Sequence, residues 1–190
     1  MNLTSPEMIR AVTQEWKGDR DAHGRPLVGD DILERMRLVT TEEAWGTCKR
    51  NDYHFQFVGD WMNLHPDRVI VGRAVTYRWV PRRPDVHDSI DRQGEEDDRV
   101  GFQNSWVIDE LEQNDLIVVG LFGKVFNGTF AGDNLATAIK SRSGTGMVID
   151  GGIRDTQRIL QMDDFNALVR GVDPSAILDV SMVEINGVTR

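Results

Sequence analysis

Two short turns concentrate the residues of this chain that can act on a small anion, Gly132-Asp133-Asn134-Leu135 and Asp150-Gly-Gly-Ile-Arg154-Asp155. Gly132-Asp133 opens a stretch of helical composition. The first free amides of that helix, at about Asn134 to Ala136, point outward and, with the positive end of the helix dipole, can hold a carboxylate. In the second turn the paired glycines permit close backbone approach, and a ligand is expected to come close there. Arg154 offers a planar fork for a carboxylate, and Asp155 offers oxygen to a hard divalent ion such as Mg2+ or Mn2+. Together they suit a 2-oxo acid, whose ketone oxygen and carboxylate lie side by side. The alternative is bland: Asp133 and Asp155 both precede helical stretches and can serve as helix caps with no chemistry at all. The residues alone leave both readings open.

The elements that must carry these turns follow from patterning. Leu116-Ile-Val-Val-Gly-Leu-Phe122 and Gly146-Met-Val-Ile-Asp150 read as short buried strands, with Asn134 to Ser141 helical between them. A strand, glycine-rich turn, helix and strand in this order form the βαβ unit of an α/β domain. Arg68 to Val80 is dense in β-branched and aromatic residues and predicts one long or broken strand ending at Pro81. Nearer the N-terminus, Thr4-Ser5-Pro6-Glu7 is a helix start, followed by Met8, Ile9, Val12 and Trp16 at helical spacing. Asp30 to Val39 predicts another helix and Thr41 to Lys49 a third, after a loop from Gly18 to Gly29. The acidic, aromatic-free run from Pro84 to Arg99 predicts an exposed loop insertion, at about 84–100.

Composition narrows the function classes. At 190 residues and 39% apolar content the chain can bury one sizeable core, so one domain over 1–190 is expected. A formal charge of −9 repels nucleic acids and anionic membranes, and an acidic substrate needs a locally positive pocket. Cys48 is the only cysteine, which excludes an intrachain disulfide and fits a reducing cytoplasm. No apolar run reaches the length of a membrane span, and Met1 to Arg20 lacks the apolar core of a signal peptide. His23, His54, His65 and His87 are scattered without ligand spacing. Gly144-Thr-Gly146 lacks the lysine of a phosphate-binding loop. Lys124 stands in a glycine turn that would not depress its pKa for Schiff-base chemistry.

The two turns resemble those of the RraA-like family, which includes the 4-hydroxy-4-methyl-2-oxoglutarate aldolases. Those aldolases carry an aspartate, twenty intervening residues, then arginine and aspartate; here Asp133 is followed by Asn134 through Ile153 and then Arg154-Asp155. The Gly-Asp-x-Leu, Gly-x-Gly and Asp-Gly-x-x-Arg-Asp patterns match as well, and looser similarity runs from about Leu33 to Val188. The resemblance implies a swivelling β/β/α type of α/β domain with a mixed sheet and N-terminal helices outside it. It implies that Asp155 binds a divalent metal, Mg2+ or Mn2+, and that Asp133 holds metal-bound water. Arg154 would contact the substrate carboxylate and carbonyl, and Gly132, Asn134 and Leu135 would form the loop whose amides bind that carboxylate. The implied activity is aldol cleavage or oxaloacetate decarboxylation in small 2-oxo acids, giving pyruvate.

Family members usually continue past the position of Arg190 with a further strand pair, so missing C-terminal strands are an expectation for this chain. Some aldolases also borrow an acidic residue from near a neighbouring subunit's C-terminus, a role for which Glu184 is a weak candidate. The family implies a homotrimer or homohexamer with sites between subunits. It also supplies the rival reading, because its namesake is a non-catalytic protein inhibitor of an RNA-degrading endonuclease.

Overall fold

Residues 5–184 are described by the computed structural model. Six strands form one sheet in the order β1-β5-β4-β3-β2-β6. Its centre is parallel: β2 (Arg73–Pro81) pairs with β3 (Asp115–Gly120), β3 with β4 (Met147–Ile153), and β4 with β5 (Ala167–Val172). The edges are antiparallel, with β1 (Met62–Asn63) on β5 and β6 (Ser181–Val183) on β2. The mixed α/β sheet and the β3-helix-β4 crossover meet the expectation from the sequence.

Alternation explains why the central strands sit where they do. In β3, Ile117 and Val119 are fully buried while Leu116 and Val118 are only partly covered, and β4 repeats this with Met147 and Ile149. The buried rows meet α6 (Asp133–Ser143) through Ala136 and Ile139, and α5 (Gln103–Asp109) through Val107 and Ile108. Trp79 of β2 packs edge-on against Phe130 with ring centroids 5.0 Å apart, closing the core beneath the start of α6. Gly144, in the left-handed region at φ 69°, ends α6, and its N–H returns to the Lys140 carbonyl.

The N-terminal helices lie outside this core, as expected. Ser5 caps α1 (Pro6–Val12) by accepting from the Met8 N–H, and Thr40 with Glu43 forms a capping box on α3 (Thr41–Arg50). Across α1, α2 (Asp30–Met36) and α3, Leu33 is the one buried residue.

The acidic run is a correction: it is not a loop insertion but a helix, α4 (Pro84–Glu96). Pro84 occupies the first turn, where its missing N–H costs nothing, and His87, Ile90 and Gly94 recur at helical spacing to form a buried face. Gly94 is needed there because a Cβ would come within 2.2 Å of the Trp106 ring. Most of the acidic side chains project from the opposite side, so composition hid a sparse but regular apolar stripe. His87, buried in this face, lies 3.1 Å from Asp91 and belongs to the packing of α4.

Candidate functional site

The two turns meet where β4 leaves the sheet and α6 begins. β4 carries a register shift between Ile149 and Gly152, and Gly151 and Gly152 lie within it. The close approach expected at this glycine pair does occur, but protein fills the space. A Cβ on Gly151 would lie 2.6 Å from Leu121 Cβ and one on Gly152 3.0 Å from the Val125 carbonyl oxygen, because the loop after β3 folds across both. The Gly152 N–H donates to the Lys124 carbonyl at 2.8 Å, the Phe130 N–H to the Gly152 carbonyl at 2.9 Å, and the Arg154 N–H to the Ala131 carbonyl at 2.9 Å. This main-chain clasp fixes the height at which Arg154 and Asp155 emerge.

Gly132 is the point on which they converge. Its dihedrals, φ −115° and ψ −164°, are ordinary extended backbone, so no conformational demand calls for glycine. The demand is spatial: a Cβ would stand 2.1 Å from Asp155 Oδ2, 3.0 Å from Arg154 Nε and 3.1 Å from Arg154 Cγ. Through this gap the Asp155 carboxylate reaches the first turn of α6, where Oδ2 accepts a long bond from the Asp133 N–H at 3.4 Å and lies 3.5 Å from Arg154 Nε. Asp155 itself is in the left-handed region at φ 57°, heads the four-residue helix α7 (Thr156–Ile159), and makes no capping bond to it. Asp133 is not the cap of α6 either, since Gly132 holds that position. Asp155 thus stands at the N-cap position of α7 without a side-chain cap, while Asp133, at the first position of α6, satisfies one free amide of its own helix at Asn134.

Asp133 is the more committed acid. Its Oδ1 accepts from the Asn134 N–H at 2.9 Å, and its Oδ2 from Arg158 Nη1 at 2.8 Å. The Arg158 guanidinium, helped by the Asn134 amide, holds the Asp133 carboxyl below the usual aspartate range against a smaller opposing effect of desolvation. Arg154 is anchored at one end only: Nη1 donates to Thr129 Oγ1 at 3.4 Å, and Nη2 has no protein partner among the described residues.

Asp133, Arg154 and Asp155 line an open cleft of about 580 Å3 with Thr156, Gln157, Arg158, Val172, Asp173 and Pro174. Of the residues singled out from sequence, these three come together on the cleft wall. Gly132 is buried beneath it, and Asn134 and Leu135 stand at the start of α6 outside the lining. Asn134's N–H is already spent on Asp133, whereas no partner of the Leu135 N–H is found among the described residues. Glu184 is directed elsewhere, with Oε2 3.1 Å from Arg78 Nε of the same chain. Lys124 donates to the Phe126 carbonyl at 2.8 Å.

Arg158, Thr129 and Asp173 were not anticipated. Arg158 carries no local signal, because its partner Asp133 lies 25 residues earlier on another helix. Thr129 and Asp173 lie in loops whose sequence carries no mark either. Asp173 accepts from the Ser175 N–H at 2.9 Å and from the Ser175 hydroxyl, which lower its pKa.

The geometry is compatible with a hard divalent ion. Asp155 is 44% exposed at its side chain, and its Oδ1 has no partner among the described residues. Among the described residues no group of three or more His, Cys, Asp or Glu side chains is close enough to hold a metal alone. An ion here would keep most of its sites for water and substrate, as Mg2+ characteristically does.

Comparison with known proteins bears on the fold and the family. The chain resembles Streptomyces coelicolor RraAS2, described as an unusual member of the RNase ES inhibitor RraA protein family, with TM-score 0.63 and 22% identity over 79% of this chain and 68% of that one. A structure described as one of novel cellulases from microbes associated with the gut ecosystem gives TM-score 0.67 and 18% identity over 97% and 74%. An uncharacterized protein from Pseudomonas syringae pv. tomato str. DC3000 gives 0.60 and 17% over 83% and 66%. At these identities the likeness is one of fold. No curated protein sequence matches the chain. Among the described residues no helix is long and apolar enough to cross a membrane. A family model described as Aldolase/RraA matches residues 43–188, well over half of the chain and spanning both turns, and the protein therefore belongs to the RraA-like family.

Proposed function

We propose that this chain is a divalent-metal-dependent lyase that cleaves carbon–carbon bonds in small 2-oxo acids, by aldol cleavage or oxaloacetate decarboxylation, and releases pyruvate. The observation that carries this reading is the gap at Gly132, through which an arginine and an aspartate are brought onto the N-terminus of an eleven-residue helix inside an open cleft. Capping of α6 does not account for that convergence, because the bond from the Asp133 N–H to Asp155 Oδ2 is long, at 3.4 Å, and Asp155 makes no capping bond to its own helix.

Asp155 is the residue that would hold Mg2+ or Mn2+, with Asp133 acting through water, and the ion would supply a Lewis acid for the substrate's ketone oxygen. The chain's own groups do the rest. The free Nη2 edge of Arg154 binds the substrate carboxylate and reaches toward the adjacent carbonyl, where negative charge gathers as the bond breaks. The positive end of the α6 dipole, which meets the cleft at Asp133, adds to the hold on the carboxylate. Pairing of Arg154 with Thr129 and with Asp155 keeps the fork turned into the cleft. The chain would act in the cytoplasm as a homotrimer or homohexamer, which light scattering reads directly; a fully active monomer would exclude that assembly.

The test is pyruvate release from oxaloacetate and from 4-hydroxy-4-methyl-2-oxoglutarate with Mg2+ or Mn2+, against the rate of metal alone. Turnover above that background, abolished by excess chelator, is expected. Full turnover in chelator would overturn the metal role. No turnover of either substrate would favour the rival reading, a non-catalytic regulator that binds a nuclease.

A further inference from the structure

We propose that Arg158 is a built-in counter-ion of the site: its guanidinium and the divalent cation are alternative partners of Asp133, so that Arg158 sets how tightly the cleft takes the metal. This rests on the metal site proposed above. Its basis is the way the two oxygens of Asp133 are used. Oδ1 accepts from the Asn134 N–H at 2.9 Å and Oδ2 from Arg158 at 2.8 Å. Each oxygen keeps a lone pair for a further donor, so the competition is one of charge and space: the guanidinium seated on Oδ2 opposes a second cation at that oxygen. The Asn134 amide is part of the backbone of α6 and cannot leave.

Arg158 can leave. It stands on the four-residue helix α7, its side chain is 79% exposed, and its guanidinium makes no other hydrogen bond among the described residues. Asp133 is only 17% exposed at its side chain and stays in place when the arginine swings out. Arg154 has less freedom, because its side chain is only 27% exposed and its head group lies between Thr129 and Asp155. In the cleft lining the carboxylates of Asp133, Asp155 and Asp173 face the guanidiniums of Arg154 and Arg158, so an incoming dication meets a formal charge of −1, with one guanidinium seated directly on Asp133. Moving Arg158 off Asp133 removes one source of repulsion and clears the space at Oδ2 in a single rotation. Arg158 is thus a positioning residue that acts through Asp133.

Mn2+ binding to the full chain, measured by the electron paramagnetic resonance signal of free Mn2+, tests this without turnover. Arg158→Ala, at so exposed a position, should fold normally and bind Mn2+ about three- to tenfold more tightly than wild type, the range set by an exposed ion pair plus relief of repulsion. Arg158→Lys, which keeps the charge, should bind like wild type. In an Asp133→Asn background the Arg158→Ala gain should largely vanish, since the interaction it relieves is gone. An unchanged affinity for Arg158→Ala, or a gain kept in full in the Asp133→Asn background, would overturn the role of Arg158; the metal site would still stand if Mn2+ bound and Asp155→Asn lost it. No Mn2+ binding by any of these proteins would overturn both.

Discussion

Replacing Gly132 with alanine asks whether the gap between the two turns is what makes the site. The backbone there is extended and accepts alanine without strain, so the effect arises from one methyl group. That methyl would sit 2.1 Å from Asp155 Oδ2, more than 1 Å inside an ordinary contact, and 3.0 Å from Arg154 Nε. The obstacle is the end of a half-exposed side chain rather than backbone, so the carboxylate rotates away and the fold survives. Alanine is a poorer N-cap than glycine by about 0.5–1 kcal/mol, which in a domain of this size lowers Tm by only about 1–4 °C. Function is more sensitive, because a displacement of about 1 Å in a catalytic group costs on the order of 10²-fold in rate. Thermal unfolding by circular dichroism and metal-supported pyruvate release on the same preparation give both quantities. Activity within twofold of wild type in a Gly132→Ala protein of near-normal Tm would refute the idea that the convergence of Arg154 and Asp155 on this glycine matters.

Asp155→Asn should fold normally, because asparagine tolerates the left-handed φ of 57°, yet it should lose most Mn2+ affinity and activity and recover part of the latter at high metal concentration; an active variant of unchanged metal affinity would remove Asp155 from the mechanism. Arg154→Lys keeps the charge but not the fork, so kcat should fall on the order of 10²-fold while KM rises; a change in KM alone would assign Arg154 to binding only. The depressed pKa of Asp133 means that its pairing stabilises the fold above the unfolded aspartate value and is lost as pH falls through the lower folded value. Tm measured from about pH 6 to about pH 2 should therefore drop more steeply in wild type than in Arg158→Ala, and parallel curves would deny the pairing any role in solution.

Regular patterning made the framework legible. Alternation in β3 and β4 and the composition between them yield the crossover and place Asp133 and Arg154-Asp155 at neighbouring ends, because period and turn chemistry are local properties. The acidic run failed as a loop because its helix rests on only His87, Ile90 and Gly94, and a stripe that thin is outweighed by charge in any composition-based reading. Arg158 escaped because its role depends on reaching across from α7 to α6, a contact between elements distant in sequence. The glycine pair was correctly marked for close approach, but the sequence could not say that the neighbour is the loop after β3. Asp155 as a cap was a sound local inference; its φ and the gap at Gly132 turn the side chain across to another helix instead.

The clasp of the loop after β3 over Gly151 and Gly152 also bears on how such a site can diversify. Its bonds run between main-chain atoms, so they depend on where the chain goes and scarcely on which side chains decorate the loop. The exit of Arg154 and Asp155 is thereby set by main chain and two glycines, while the rim at Gln157, Arg158, Val172 and Pro174 is made of side chains that bear little of the fold's weight. Ligand preference can change there one residue at a time, with Arg154 and Asp155 left in register throughout. A library confined to those four rim positions would explore new specificities while retaining almost the full population of folded protein.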